Sequence, residues 1–390
     1  MHLNSINAAN LKTSLKFCVI LPWALLGRLW DRDVWIITER QDQARDNGYV
    51  FFKYVREKYP KQKIAYIINK SAPDYAKIRT YGSIIQFDSW AHYYYYCLAK
   101  IHISSHVGGC KPSNSPITNY IKRWLSIKDI FLPHGVSYGI SEFCLKKYAK
   151  LDLFICSGKP EYDNVLKNYG YSEKEVAYTG FPRLDIWHNC ETDKKRILVM
   201  PTWRLYLAQN PNTNIKETNY YRSWQKFLDD TELHKFLIEN GLRMIFYPHH
   251  NMKKYITAFS SECECIEIAD EQYDIQELLK SAALLVTDYS SVHFDFAYMK
   301  KPVIYYQFDQ EEFFDRQYKQ AEFEVEKDGF GPVTYDEENL LKAVKDSFAE
   351  GFQMSDKYYK RMRNFYQIYD DRNCERVYRT IIDRESHPPK

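Results

Sequence analysis

The sequence is short of several things, and each shortage narrows what the protein can do. It has no run of about 18 or more uncharged apolar residues, so a spanning helix is not expected. It has no G-x-x-x-x-G-K-[ST] phosphate loop and no G-x-G-x-x-G turn, so any nucleotide must be held by other means. The formal net charge is only +3, which argues against a chain built to grip nucleic acid. Nine cysteines are scattered, and Cys263 and Cys265 form the only close pair. No second pair stands at zinc-finger spacing, so reduced, buried thiols and a cytosolic compartment are expected. The apolar stretch near the start lacks a small-x-small exit, so it is not read as a signal peptide. Internal repeats and low-complexity tracts are also missing.

What is present is a globular chain. Its 390 residues predict two domains, perhaps three, at roughly 150 residues each. Hydrophobic residues make up 45% and charged residues 27%, enough for a sizeable core and inconsistent with disorder. Tyrosine is abundant, at 34 residues. It can fill core and surface, or it can form a platform for sugars or polyols. Residues 14–30 read SLKFCVILPWALLGRLW, apolar with Lys12, Lys16, Arg28 and Arg32 around them. Such a segment can lie in a membrane interface or pack as a core helix on the first sheet.

Beyond residue 30, short apolar strands alternate with helical stretches. Strands are expected at 34–38, 64–69, 84–87, 101–104, 129–133, 153–156 and 176–179. A second series is expected at 197–201, 244–248, 265–268, 284–288 and 303–306. Helices are expected near 43–58, 89–99, 160–169, 219–240, 274–282 and 290–300. Alternation of this kind predicts parallel, doubly wound sheets. The fold class is therefore α/β, with two Rossmann-like domains facing across a cleft. The division expected is an apolar, basic segment at 1–30, a first Rossmann-like domain at 31–188, which the resemblance given below implies as the acceptor domain, a second at 189–354, which it implies as the donor domain, and a helical segment at 355–390 that packs back on the first domain.

In open parallel sheets, ligands bind beyond the carboxyl ends of the strands. The residues that follow the expected strands are Ser104-Ser105-His106, Pro133-His134-Gly135, Pro201-Thr202-Trp203-Arg204, Pro248-His249-His250 and Thr287-Asp288-Tyr289-Ser290-Ser291. Histidines, hydroxyls and an arginine thus gather at strand ends. A neutral imidazole at His134 can take a proton near pH 7, and Gly135 lets a ligand approach the backbone. A lone turn histidine is more often structural. Ser290 or Ser291 can cap the helix that follows and help bind an anion, although most such serine pairs are ordinary caps. Arg204 can pair with phosphate or with a carboxylate. His249 is the choice of the histidine pair, with His250 as the substitute.

At this point the residues resemble a known family. The segment VTDYSSVHFDFAYMKKPVIYYQFD, starting at Val286, is similar to the matching segment of the CDP-glycerol:poly(glycerophosphate) glycerophosphotransferases, which build teichoic-acid and capsule polymers. ERQDQARDNGYVFFKY from Glu39, TGFPRLD from Thr179, PTWR from Pro201, DGFGPV from Asp328 and DRNCERVY from Asp371 follow in the same order. Ser104-Ser105-His106, Pro133-His134-Gly135 and Pro248-His249 complete the set, which covers roughly 30–380. The resemblance implies a GT-B-like fold, a CDP-alcohol donor and transfer of polyol phosphate to a growing polymer with release of CMP. It implies His134 as general base on the acceptor hydroxyl and His249 as a donor-pyrophosphate contact. It assigns donor phosphate to Ser290 and Ser291, with Asp288, Thr287, Thr202 and Arg204 beside them. Gly135, Ser105, His106, Asn47, Arg183 and His250 are acceptor or cleft candidates. Two departures are visible: His250 stands where Pro is usual, and Pro133 stands where Trp is usual before His-Gly.

The partners implied are a CDP-alcohol, a polymer or lipid-linked acceptor and the inner face of the cytoplasmic membrane, with no nucleic acid. The protein is expected to be cytoplasmic and peripherally membrane-associated. No metal ligands are read from the motifs, and a need for Mg²⁺ is left open. Two other functions fit parts of the pattern: a GT-B glycosyltransferase using a CMP- or UDP-sugar, and a non-catalytic, membrane-bound polymer-binding protein.

Overall fold

The structure is a computed structural model that describes residues 8–210, 212–269, 273–316 and 323–386. It divides into two compact units. The first takes the chain up to Ser137, then Ser141–Asp185, then the segment from Asp370 onward. The second takes Tyr138–Ile140 and Ile186–Tyr369.

The first unit holds a seven-stranded parallel sheet. Its strands are β1 (Val34–Thr38), β2 (Lys63–Ile68), β3 (Ile84–Gln86), β4 (Ile101–Ser104), β5 (Lys128–Phe131), β6 (Leu153–Cys156) and β7 (Val176–Tyr178). They run in the order β3-β2-β1-β4-β5-β6-β7. Every residue of β1, β4 and β6 is buried, as expected for strands covered on both faces. The second unit holds β8 (Asp193–Met200), β9 (Arg243–Phe246), β10 (Ile266–Ile268), β11 (Ala282–Thr287), β12 (Val303–Tyr306) and β13 (Val333–Thr334). Their order is β10-β9-β8-β11-β12-β13, again all parallel. Both sheets follow the doubly wound order, which reverses direction between the first and fourth strands of the series. The reversals lie between β1 and β4 and between β8 and β11, so each unit has a crevice at that point.

Two features of the second series differ from expectation. The helix expected over 219–240 is two helices, Asn219–Leu228 and Thr231–Glu239. Asp230 breaks the run because its carboxylate caps the second helix, accepting from the Leu233 N–H at 2.8 Å. Strand β13 was not anticipated, since two residues carry no readable period. The amphipathic helices Pro116–Trp124 and Glu337–Ala349 were also not anticipated.

The first helix, α1 (Ala8–Trp30), runs continuously through Pro22. One face packs on α2 (Trp90–Leu98): Phe17 meets Tyr93 and Tyr96, and Ala24 is fully buried. Gly27 is needed for that approach, because a Cβ there would stand 2.5 Å from the Tyr94 hydroxyl. Lys16 anchors the helix through an ion pair to Asp88 at 2.8 Å. The other face leaves Leu11, Leu15, Val19, Trp23, Leu26 and Trp30 exposed at three- to four-residue spacing. The packed face fits the core-helix reading of this segment, and the other face is an exposed apolar stripe. Among the described residues no helix is long and apolar enough to cross a membrane.

The end of the chain forms two helices. The expectation was one segment, 355–390, on the first domain; instead Asp356–Phe365 belongs to the second unit, while α3 (Asn373–Ser386) belongs to the first. The Asp185 carboxylate receives the backbone N–H groups of Asn373 (2.7 Å) and Cys374 (2.8 Å), closing the helix start. Gly180 has φ +81°, and a Cβ would lie 1.7 Å from the Asn373 side-chain oxygen. Tyr378 then stacks on Tyr59, with ring centres 3.7 Å apart, and tilts against Trp35. TGFPRLD and DRNCERVY are thus one structural lock. All nine cysteines are free, and six of them are buried.

His92, on α2, shows how burial sets acid sensitivity. Its Nδ1 accepts from the Asp88 N–H at 3.1 Å and its Nε2 donates to the Cys110 carbonyl at 3.0 Å. Burial pushes the imidazole down to about 4. The unfolded chain protonates this histidine near pH 6.5, so it binds more protons than the folded chain between those values. Stability therefore falls as pH drops from about 6.5 toward 4. In urea unfolding, the wild type is expected to lose about 2 kcal/mol more than His92→Asn between pH 7 and 5. Parallel losses in the two proteins would refute this assignment.

Candidate functional site

Each unit presents its own cluster at the strand ends, and each is described separately. In the first unit, His134 follows β5 and His106 follows β4, the neighbouring strand. Their rings stack, with centres 4.8 Å apart and planes 8° from parallel. His134 Nδ1 lies 3.4 Å from the Ser105 carbonyl. A carbonyl can only accept, so the proton sits on Nδ1 and Nε2 carries the lone pair. His134 is exposed to solvent, and Gly135 beside it is half-buried. Loss of water around the strand end pushes the His134 imidazole below its usual value, opposed by the Asp46 carboxylate. His106 is driven down to about 4 by burial and then by His134. Both rings are neutral at pH 7. The Ser105 hydroxyl and His106 Nδ1 are buried with no partner among the described residues.

Asn47 and Arg183, read from sequence as acceptor contacts, are buried and serve the backbone instead. Asn47 Nδ2 donates to the Pro133 carbonyl at 2.6 Å, and its Oδ1 accepts from the Arg183 N–H at 3.0 Å. The Arg183 guanidinium donates to the His134 carbonyl at 2.9 Å and to Asp46 at 2.8 Å. Glu39 fixes this corner by accepting the N–H groups of Arg45, Asp46 and Tyr49, which begin the helix Asn47–Lys58. The peptide that carries His134 is therefore clamped on both sides. Glu39, Asp46 and Asn47 lie within one quoted motif, so proximity in sequence was the available signal for Asp46.

In the second unit, Arg204 is the hub. It is 1% exposed and lies between two buried carboxylates, at 2.9 Å from Asp288 and 2.8 Å from Asp309. Its Nη1 also donates to the Thr202 carbonyl at 2.8 Å. Asp288 in turn accepts the N–H groups of Thr202 and Tyr289, each at 2.7 Å. The Tyr289 hydroxyl donates to Asp309 at 3.2 Å, and its ring stacks on Phe313 at 3.7 Å. Thr287 is buried and donates its hydroxyl to the Met200 carbonyl at 2.6 Å, tying β11 to β8. This corrects the expectation that Arg204, Asp288 and Thr287 reach a phosphate. A guanidinium already spent on two carboxylates has no fork left to offer, and Asp288 and Thr287 are closed off from solvent. Asp309 was not singled out in sequence, though it ends the longest matching segment. Burial disfavours the Arg204 charge, but the two carboxylates outweigh it and hold the cation beyond its usual range.

Ser290 and Ser291 are half-buried at the start of the helix Val292–Tyr298. Ser291 stands at the cap position, yet its hydroxyl makes no cap bond. The ordinary-cap reading therefore does not hold, and the hydroxyl is available to another partner. The helix is only seven residues long, so its dipole adds little. His249 follows β9, and its ring lies over Trp203 with centres 6.2 Å apart. Its Nδ1 accepts from the Asn251 N–H at 3.2 Å, which puts the proton on Nε2. The side chain of His250 lies outside the described residues.

Among the described residues no three His, Cys, Asp or Glu side chains converge as a metal would require. Asp288 and Asp309 are both engaged by Arg204, so this strand-end cluster does not fit a metal and no step is assigned to one. Removing the hub charge should be costly. Arg204→Met would strand two buried carboxylates and is expected to lose about 3–5 kcal/mol in urea unfolding. Arg204→Lys, which keeps the charge without the fork, should lose less; equal losses would mean that packing, not charge, dominates.

The comparisons with known proteins converge. The family model for CDP-Glycerol:Poly(glycerophosphate) glycerophosphotransferase matches residues 22–383. The minor teichoic acid biosynthesis protein GgaB of Bacillus subtilis strain 168 is 33% identical over 370 residues, covering 91% of this chain and 40% of the relative. A teichoic acid poly(glycerol phosphate) polymerase of the same strain is 24% identical over 375 residues, covering 87% and 47%. The chain thus spans about half the length of these two relatives. The wall teichoic acid polymerase TagF superposes with a TM-score of 0.67 at 17% identity, covering 99% of this chain and 100% of that one. A UDP-N-acetylglucosamine 2-epimerase from Listeria monocytogenes superposes with a TM-score of 0.58 at 14% identity, covering 92% and 98%. At these identities the structural likeness establishes the fold, which is GT-B-like.

Proposed function

Because the chain belongs to the CDP-glycerol:poly(glycerophosphate) glycerophosphotransferase family, we propose that it moves a polyol phosphate from a CDP-alcohol to a hydroxyl of a growing teichoic-acid-like or capsular polymer. The observation that carries the reading is the opposite tautomers of the two strand-end histidines. His134 offers a bare Nε2 and is neutral at pH 7, the state a general base needs. His249 carries its proton on Nε2, the tautomer needed to donate to a phosphate oxygen. The acceptor is accordingly assigned to the first unit and the donor to the second.

In this mechanism the acceptor oxygen attacks the β-phosphorus of the CDP-alcohol. A new P–O bond forms, the bond to the CMP phosphate breaks, and CMP leaves with that electron pair. The acceptor proton passes to His134 Nε2. His249 and the hydroxyls of Ser290 and Ser291 disperse the charge that builds on the leaving phosphate. His134→Gln is expected to keep CDP-glycerol binding and lose about 10²–10⁴ in turnover. The base must be neutral, and its pKa lies below the usual 6.5. The acid limb of the kcat/KM profile is therefore expected below pH 6.5. Near-normal turnover in the variant, or an acid limb above 6.5, would remove His134 from this role. A donor panel of CDP-glycerol, CDP-ribitol and CMP- or UDP-sugars separates this reading from a glycosyltransferase.

The same reading places the protein at the inner face of the cytoplasmic membrane. The apolar stripe of α1, exposed at Leu15, Val19, Trp23 and Leu26, supports this, since such a face gains by entering the headgroup region. Trp23→Glu is expected to weaken co-sedimentation with anionic phospholipid vesicles by about tenfold or more while leaving the fold intact. Unchanged vesicle binding would rule out this face as the anchor.

A further inference from the structure

The first unit contains a second polar cavity, of about 330 Å³, that the reaction above does not use. Its wall begins at Val107 and Gly108, immediately after His106, and extends to Lys150 and Asp152. Five cationic residues line it: Lys111, Lys122, Arg123, Lys128 and Lys150. Only two carboxylates share the lining, and each is already taken. Asp129 pairs with Lys122, and Asp152 pairs with Lys128 at 3.0 Å. Lys111, Arg123 and Lys150 have no carboxylate partner among the described residues, which leaves a cavity with three unbalanced positive charges.

The cavity is built rather than incidental. Lys111 is half-buried, and burial lowers its pKa. Lys122 is pushed down to about 8 by burial and then by Lys111. Cations that have lost water and repel one another are costly unless an anion joins them. The backbone is also specialised here. Gly108 has φ +70°, and a Cβ there would meet the Lys111 ammonium at 2.8 Å. Ser126 and Lys150 both adopt left-handed backbone, at φ 53° and 51°. Non-glycine residues rarely do so, and Lys150 keeps its charge at the cavity despite that cost.

We propose that this cavity binds phosphate groups of the acceptor polymer, set back from the hydroxyl that reacts. The proposal rests on the transferase reading above. Position argues for the polymer rather than the donor. Lys128 begins β5, and His134 lies just past the end of that strand, on the order of 20 Å along the chain. The lining thus runs from the residues beside His106 to the far end of β5, so a phosphate held at the Lys128 and Lys150 end belongs to a ligand longer than one repeat if its end reaches His134. A chain of phosphodiesters has that length and that charge.

The test uses the full chain and soluble poly(glycerol phosphate) acceptors of one unit and of about ten units. The double variant Lys111→Gln/Lys150→Gln is expected to raise KM for the long acceptor about tenfold, with KM for the one-unit acceptor nearly unchanged. Lys150→Gln alone, at an exposed position, is expected to raise it about threefold and serves if the double variant misfolds. Direct titration with the long polymer should show the same loss and should weaken with added salt in the wild type. Equal KM values for wild type and variants would overturn the subsite while leaving the transferase intact. Loss of binding to anionic vesicles with an unchanged acceptor KM would also overturn it and assign the cavity to a lipid headgroup. A wild type that transfers nothing from any CDP-alcohol would defeat the underlying reading, and the subsite with it.

Discussion

The strand-end cluster of the second unit depends on one buried cation. Arg204 sits between Asp288 and Asp309 and also holds the Thr202 carbonyl, so three chain segments converge on one guanidinium. Thr202 follows β8, Asp288 follows β11 and Asp309 follows β12. Burying such a group costs several kcal/mol of lost hydration, and the two carboxylates and the Thr202 carbonyl offset that cost. The aromatic faces of Tyr220, Tyr289 and Phe313 surround it, each with its ring centre within 5.3 Å, and exclude water from the pair. With the loops pinned from beneath, Ser290 and Ser291 stay half-exposed while His249 caps the turn that follows it.

The first unit solves the same problem without a buried hub of that size. There a network of Glu39, Asp46, Asn47 and Arg183 clamps the peptide on either side of His134. The effect is similar: structural bonds go to the backbone, and the reactive ring is left unencumbered at Nε2. In both units the residues proposed to meet a ligand are separate from those that fix the loops. The hydrogen bond at Nδ1 selects the protonation of Nε2 in each histidine, a carbonyl in one case and an N–H in the other. Two identical side chains are given opposite tautomers by one neighbouring backbone group each.

Much of this was legible in the sequence, for identifiable reasons. Strands such as β1, β4, β6 and β12 were placed at their observed bounds, because fully buried parallel strands read as unbroken apolar runs. The gathering of histidines and hydroxyls at strand ends was equally visible, since parallel sheets put those ends along one edge. The break at Asp229-Asp230 was not, because a capping aspartate looks like any surface charge until the helix it starts is seen. Strand β13 escaped because its pairing with β12, not its composition, makes it a strand. Arg204 was misread for a similar reason. Nothing local distinguishes an arginine that meets phosphate from one that meets Asp309, 105 residues away.

The apolar periods, the order of the motifs and the residue types at the strand ends were matters of sequence, because each is a local property of the chain. They fixed the parallel α/β class, the two series of strands and the family. The tertiary structure alone settled which candidates face solvent and which are spent inside. Arg204, Asp288, Thr287, Asn47 and Arg183 turned inward because distant partners reach them, while His134, Ser290 and Ser291 stayed outward. Desolvation and hydrogen bonding depend on those distant partners, so the charge state and tautomer of a side chain exist only once the chain is folded.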